Sequence, residues 1–280
     1  MKKLPVNSEK VYFNSYFSTM STRNRSKINQ LLALTKPGTV LTSAWLVRQG
    51  YSLDLLQKYK NSHWFASFGN GAMIRTGDTV TYFGAVYSMQ NYTGLSAHPG
   101  GKTALALLGR AHFLNLGNQP VTLIGTSNEK LPRWFNKHVW DQPINYHTTS
   151  FLPPDYGLSD YEVSGFTIKV SSAARAILEE LLLAETASDL LECYQLLENL
   201  SDLRPQSMQQ LLEFCQSVKV KRMFVYMAEK IHHQWFDLLD LTKIELGSGK
   251  RSFVKNGVYI SRYQITVPKE LANYDSPDLP

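Results

Sequence analysis

Residues 26–75 hold three short helical periodicities, each with its own stop signal, followed by two apolar segments around Gly69, Asn70 and Gly71. Ile28, Leu31, Leu32 and Thr35 share one helical face, and Pro37 with Gly38 ends that run. Thr42 or Thr39 can cap a second helix containing Ala44, Trp45, Leu46 and Val47. Gly50 stands where a left-handed residue closes a helix. Ser52 can cap a third helix, in which Leu53, Leu56 and Tyr59 or Lys60 point inward and Asp54, Gln57, Lys58 and Asn61 point outward. Residues 63–68 and 72–75 then read as strands, because the glycines between them tolerate the positive φ of a tight hairpin. So compact a series predicts a helix-turn-helix with a β wing.

Charge gives that unit a partner class. Residues 1–110 carry 13 Lys and Arg against three acids, a balance of +10, while residues 111–214 balance at −7 and residues 215–280 at +3. A basic block of domain size attracts a polyanion, since neutralising phosphates releases condensed counterions. Arg48 and Arg75 are placed for backbone phosphates. Gln57, Lys58 and Asn61 are placed for base edges, with Ser52 and Lys60 beside them, because amide and cationic side chains match the groups that bases expose. Charge alone does not separate DNA from RNA.

The remaining chain reads as mixed α and β. Residues 121–124 and 166–170 are β-rich, and helical patterns cover 172–184, 188–199, 205–216 and 219–233, with Ser172 and Ser188 as N-caps and Pro205 in a first turn. The last pattern has an apolar stripe of Val220, Met223, Phe224, Met227 and Ile231. Asn256 and Gly257 predict a hairpin between 251–255 and 258–267. Lys219, Lys221, Arg222, Lys250 and Arg251 are expected to gather into a second basic surface. The expected fold class is therefore α+β: an arm over 1–22, a winged helix-turn-helix domain over 23–95, and a larger mixed α/β domain over 96–280.

Catalytic motifs are weak. Gly100, Gly101, Lys102 and Thr103 resemble a phosphate loop, but Ser96 occupies its first glycine position; around Lys250 the pattern fails twice, at Ile244 and Arg251. No acid has a lysine two positions later, as a nuclease site would need, and the spaced pair Asp160 and Glu162 reads as a solvated loop. His232 and His233 read as a surface helix end, and His98 and His112 as hydrogen-bonding groups near the interdomain loop; no metal-ligand spacing occurs. Cys193 and Cys215 fall at apolar helical positions and read as buried thiols. No cofactor, metal or membrane segment is expected, and with no signal peptide the expected location is cytoplasmic. Two readings compete with DNA binding: an RNA-binding module or nucleotide-binding enzyme using the Gly/Lys loops, and a scaffold whose acidic middle segment docks a basic partner.

Motif order adds a family resemblance. Trp45 and Leu46, Gln49 to Ser52, Ser62 to Trp64, Gly71 and Ala72, Gly84 and Ala85, Gln90, His98 to Leu105, Gly109 and His112 resemble the N-terminal half of the AbiEi abortive-infection antitoxins. Lys169 to Ser172, Arg175 to Glu179, Ser217 to Arg222, Leu246 to Arg251, Tyr263 and Ile265 to Pro268 are similar to that family's C-terminal region. His63 stands where the family has Gly, and Ala173 and Ala174 where it has Pro or a charged residue before the arginine. The resemblance implies a winged-helix repressor of its own operon that binds an inverted repeat in double-stranded DNA. It also implies an antitoxin that counters a nucleotidyltransferase-like toxin without a stable complex, the second basic surface being the candidate antitoxin face.

Overall fold

The computed structural model describes residues 27–111 and 120–274, so the expected arm over 1–22, Ser26 and His112 lie outside the described residues. The chain divides after Thr35 into two compact units. In the first, helix α1 (Lys27–Leu34) closes where the Thr35 N–H and hydroxyl both donate to the Leu31 carbonyl oxygen, at 3.1 and 2.9 Å.

The second unit begins with strand β1 (Leu41–Thr42), helices α2 (Ser43–Arg48) and α3 (Leu53–Asn61), and strands β2 (Phe65–Ser67) and β3 (Ala72–Arg75). β3 is central in an antiparallel sheet ordered β1-β3-β2, with Leu41 opposite Met73 and Phe65 opposite Arg75. The caps sit where the sequence places them: the Thr42 hydroxyl accepts from the Trp45 N–H and the Ser52 hydroxyl from the Leu55 N–H, each at 3.3 Å. Between the helices Gly50 has a φ of +86°.

Helix α4 (Tyr82–Ser88) runs into a π-helical turn (Met89–Thr93). Its Gly84 allows close approach: a Cβ there would lie 1.9 Å from the Gly38 carbonyl oxygen. Strands β4 (His98–Pro99), β5 (Val121–Thr126) and β6 (Ile144–Thr149) form a second sheet, β4 antiparallel and β6 parallel to β5. Helix α5 (Gly101–Leu107) follows β4, helix α6 (Arg133–Lys137) lies between β5 and β6, and β7 (Leu158–Val163) pairs antiparallel with β8 (Phe166–Ser171). Gln90 in the π-helical turn acts as a peptide unit on β8, its amide donating to the Lys169 carbonyl and accepting from the Lys169 N–H, both at 2.9 Å. Asp160 and Glu162, expected in a loop, are in β7, where Asp160 pairs with Lys169 at 2.7 Å.

The rest is helical. Helices α7 (Ala173–Leu183), α8 (Ala187–Glu198), α9 (Pro205–Phe214) and α10 (Val218–Ile231) lead to strands β9 (Arg251–Ser252), β10 (Val258–Ile260) and β11 (Ile265–Val267), then helix α11 (Lys269–Ala272). Ser172 caps α7 and Pro205 opens α9 as expected, but α8 is capped by Thr186 in a reciprocal box with Asp189 rather than by Ser188. Asn256 and Gly257 do not join paired strands. β11 is central, antiparallel to β10 and parallel to β9, and Gly257 is needed because a Cβ would lie 2.1 Å from the Val267 carbonyl oxygen. His233, expected at the surface, is buried and hydrogen-bonded to the Leu197 carbonyl oxygen at 2.8 Å.

Two apolar cores organise this α+β unit. One joins Val40, Ala72, Val86 and Met89 to Leu123, Trp134, Phe135, Phe166, Ile168 and Val170; the other packs α7 to α10 around residues such as Leu178, Leu197, Phe224 and Ile265. Cys193 and Cys215 are buried free thiols. Among the described residues no helix is long and apolar enough to cross a membrane, and no cluster of three or more His, Cys, Asp or Glu could hold a metal.

Candidate nucleic-acid interface

α3 buries one side only. Leu56 is its buried residue, while Ser52, Asp54, Gln57, Lys58 and Asn61 are exposed, Lys60 is half-buried, and Leu53 is 64% exposed. Positions 57 and 61 are one turn apart, so the Gln57 amide donates to Asn61 Oδ1 at 2.9 Å and the two side chains form an ordered polar pair beside Lys58. Ser52 spends its hydroxyl on the cap. After α3, His63 has a φ of +58°, a left-handed conformation that glycine adopts more readily than a residue with a Cβ.

The other expected contacts differ in their freedom. Arg48 is exposed at the end of α2, with one guanidinium nitrogen donating to the Tyr92 carbonyl at 3.1 Å, and the Trp45 ring packs tilted against Tyr92 with centroids 4.2 Å apart. Arg75 is half-buried at the end of β3. Gly69 and Gly71 have φ of +113° and +71°, as a tight hairpin requires. The hairpin tip is not free-standing. Phe68 sits in an aromatic nest, 4.5 Å from the His138 ring, 6.1 Å from Trp134 and 6.4 Å from Trp140. Sequence reading missed this nest, although the density of aromatic residues at 134–140 was its signal.

The second basic surface does not form as expected. Lys221 and Arg222 are buried, 4% and 2% exposed, because α10 is enclosed on every side from Val220 to Ala228. The Arg222 guanidinium donates to the carbonyls of Leu246 (2.7 Å), Gly247 (2.9 Å), Gly249 (2.6 Å) and Gln264 (3.3 Å). It is an internal anchor for the glycine loop before β9. Lys219 lies over the Phe253 ring at 4.6 Å and Lys250 over Tyr259 at 5.2 Å, and only Lys250 and Arg251 of the five are exposed.

The loop that resembles a phosphate cradle is already filled by the chain's own carboxylates. The Gly101 N–H donates to Glu179 at 3.0 Å and the Lys102 N–H to Glu180 at 2.6 Å. Glu179 also accepts from the Ser171 hydroxyl at 2.7 Å and from Arg175 at 2.8 Å, with His98 Nε2 at 3.6 Å. Burial pushes the Glu179 carboxyl up, yet His98 and Arg175 outweigh it and hold the group below its ordinary value. A Cβ on Gly101 would come 2.1 Å from Glu180 and one on Gly100 2.6 Å from Glu179, which accounts for both glycines without a nucleotide.

Known proteins supply the remaining comparison. A family model described as transcriptional regulator, AbiEi antitoxin, type IV toxin–antitoxin system, matches residues 118–268, and a second, for the N-terminal domain of the same antitoxin family, matches residues 24–116. None of the curated proteins matches the chain. A crystal structure of the RV2827C protein from Mycobacterium tuberculosis is similar in fold, with a TM-score of 0.54 and 13% identity over 87% of this chain and 91% of that one. With both halves matched, the chain belongs to the AbiEi family of transcriptional-regulator antitoxins of type IV toxin–antitoxin systems.

Proposed function

We propose that this chain binds double-stranded DNA through a winged helix-turn-helix within residues 23–95, with α3 in the major groove, and represses its own operon by occupying an inverted repeat. The observation that carries this reading is the one-sided burial of α3, which leaves Gln57, Lys58 and Asn61 exposed on a polar face, with the Gln57 amide paired to Asn61. Amide and ammonium groups suit base edges, exposed Leu53 suits a thymine methyl, and Arg48 and Lys60 suit flanking phosphates. Residues 96–280 carry the antitoxin role, acting in the cytoplasm on the effects of a nucleotidyltransferase-like toxin without a lasting complex and without catalysis. The occupied Gly100–Lys102 loop favours this binding role over a nucleotide-handling one.

A reporter driven by the region upstream of the protein's own reading frame tests the reading in cells. Wild type is expected to silence it, and Lys58→Ala to relieve silencing at equal protein level, consistent with a loss of about 1–3 kcal/mol per base contact. Unchanged expression with and without wild-type protein would overturn it.

A further inference from the structure

The hairpin beside α3 is electrically neutral. From Phe65 to Ile74 it holds no Lys or Arg, so it cannot neutralise phosphates, and Arg75 at its end is half-buried. Its tip is nevertheless fixed against a cationic neighbour. Phe68 is held by His138, Trp134 and Trp140, and Gly69 approaches so closely that a Cβ would lie 3.3 Å from Trp134 Cβ. Trp134 belongs to α6, and α6 with its preceding turn exposes Lys130, Arg133 and Lys137.

These cations are unusual within their own segment. Residues 111–214 balance at −7, yet three of their six basic residues fall between positions 130 and 137. Of the other three, Lys169 pairs with Asp160 and Arg175 with Glu179, while Arg204 lies far along the chain; Lys130, Arg133 and Lys137 are clustered and, like Arg204, form no ion pair among the described residues. Adjacent Glu129 is turned inward, accepting from the Ser96 N–H at 2.8 Å and the Ser96 hydroxyl at 2.7 Å; the next acid, Asp141, lies beyond α6.

We infer that Lys130, Arg133 and Lys137 form a second DNA-contacting element, which grips backbone phosphates of the duplex beside the neutral hairpin and supplies the charge that the hairpin lacks. The inference rests on the proposed reading of α3. Arg133 and Lys137 are one helical turn apart, about 6 Å along the axis, and a duplex presents a charge every ~1.7 Å, so both can engage one backbone. Contacts of this kind hold register and carry no sequence information.

Equilibrium anisotropy of the full-length protein on two labelled duplexes, the region upstream of its own reading frame and a shuffled counterpart, tests this over a KCl series. Arg133→Ala with Lys137→Ala is expected to lower the slope of log affinity against log salt by about 1.8, at ~0.9 per lost phosphate contact, and to weaken both duplexes by the same factor. Arg133→Lys with Lys137→Arg is expected to retain the wild-type slope. Lys255→Ala with Lys269→Ala, which removes the same charge from exposed positions in the C-terminal region, is expected to leave it unchanged. Wild-type binding with an unaltered slope in the Arg133/Lys137 alanine variant would overturn this inference alone. Wild type binding neither duplex would remove the α3 reading and this inference together.

Discussion

Glu179 and Glu180 are neighbours on α7 and carry their protons differently. Glu179 is surrounded by Arg175, His98, Ser171 and the Gly101 N–H, which keep it ionised although it is fully buried. Glu180 has the Lys102 N–H and, 4.0 Å away, the Lys102 ammonium; burial outweighs them and pushes its carboxyl from 4.5 up to about 7. Between those two values the folded chain holds a proton that the unfolded chain has released. The stability linked to Glu180 is thus full below pH ~4.5 and declines as pH rises through ~7, opposite to the usual carboxylate, by up to about 3 kcal/mol. Glu180→Gln mimics the protonated form, so its unfolding midpoint is expected to stay level between pH 5 and 8 relative to wild type. An identical decline in both proteins would contradict this role. The sequence showed only two adjacent acids and a Gly-Gly-Lys run 78 positions away. Nothing local said that one would fill the other.

At the scale of elements, what depends on neighbours three or four positions apart was legible. Caps at Thr42, Ser52 and Ser172 and the Pro205 start follow from a side chain reaching the next turn of its own helix. Strand partnership was not legible, because a turn-forming pair such as Asn256 and Gly257 fixes a local bend but not which backbone finds β11. The burial of Arg222 was missed for a similar reason. An arginine on a helix reads as solvated until the loop carrying Leu246, Gly247 and Gly249 is known to wrap over it. Arg222→Met strands those carbonyls and is expected to cost about 3 kcal/mol in denaturant unfolding, whereas exposed Lys250→Ala is expected to stay within ~0.5 kcal/mol. Equal effects would show that Arg222 is not the anchor.

Across the whole molecule, the +10 balance of residues 1–110 and the polar face of α3 point to the same polyanion, and both are legible in the sequence. In the folded chain the hairpin after α3 shares a core with residues 121–170, so the proposed reader is braced by the C-terminal half. Sequence periodicity is blind to such a brace, since Phe68 and Trp134 meet only through the tertiary fold. The central claim is that the exposed side of α3 reads a duplex, and the most direct measurement is equilibrium binding of wild type and Gln57→Ala/Lys58→Ala to the upstream duplex and to its shuffled counterpart at several salt concentrations. Wild type is expected to prefer the upstream duplex, with affinity falling steeply as salt rises, and the variant to lose that preference by about 1–3 kcal/mol per base contact while keeping its unfolding midpoint. Salt-insensitive binding, or a variant that discriminates as well as wild type, would contradict the account.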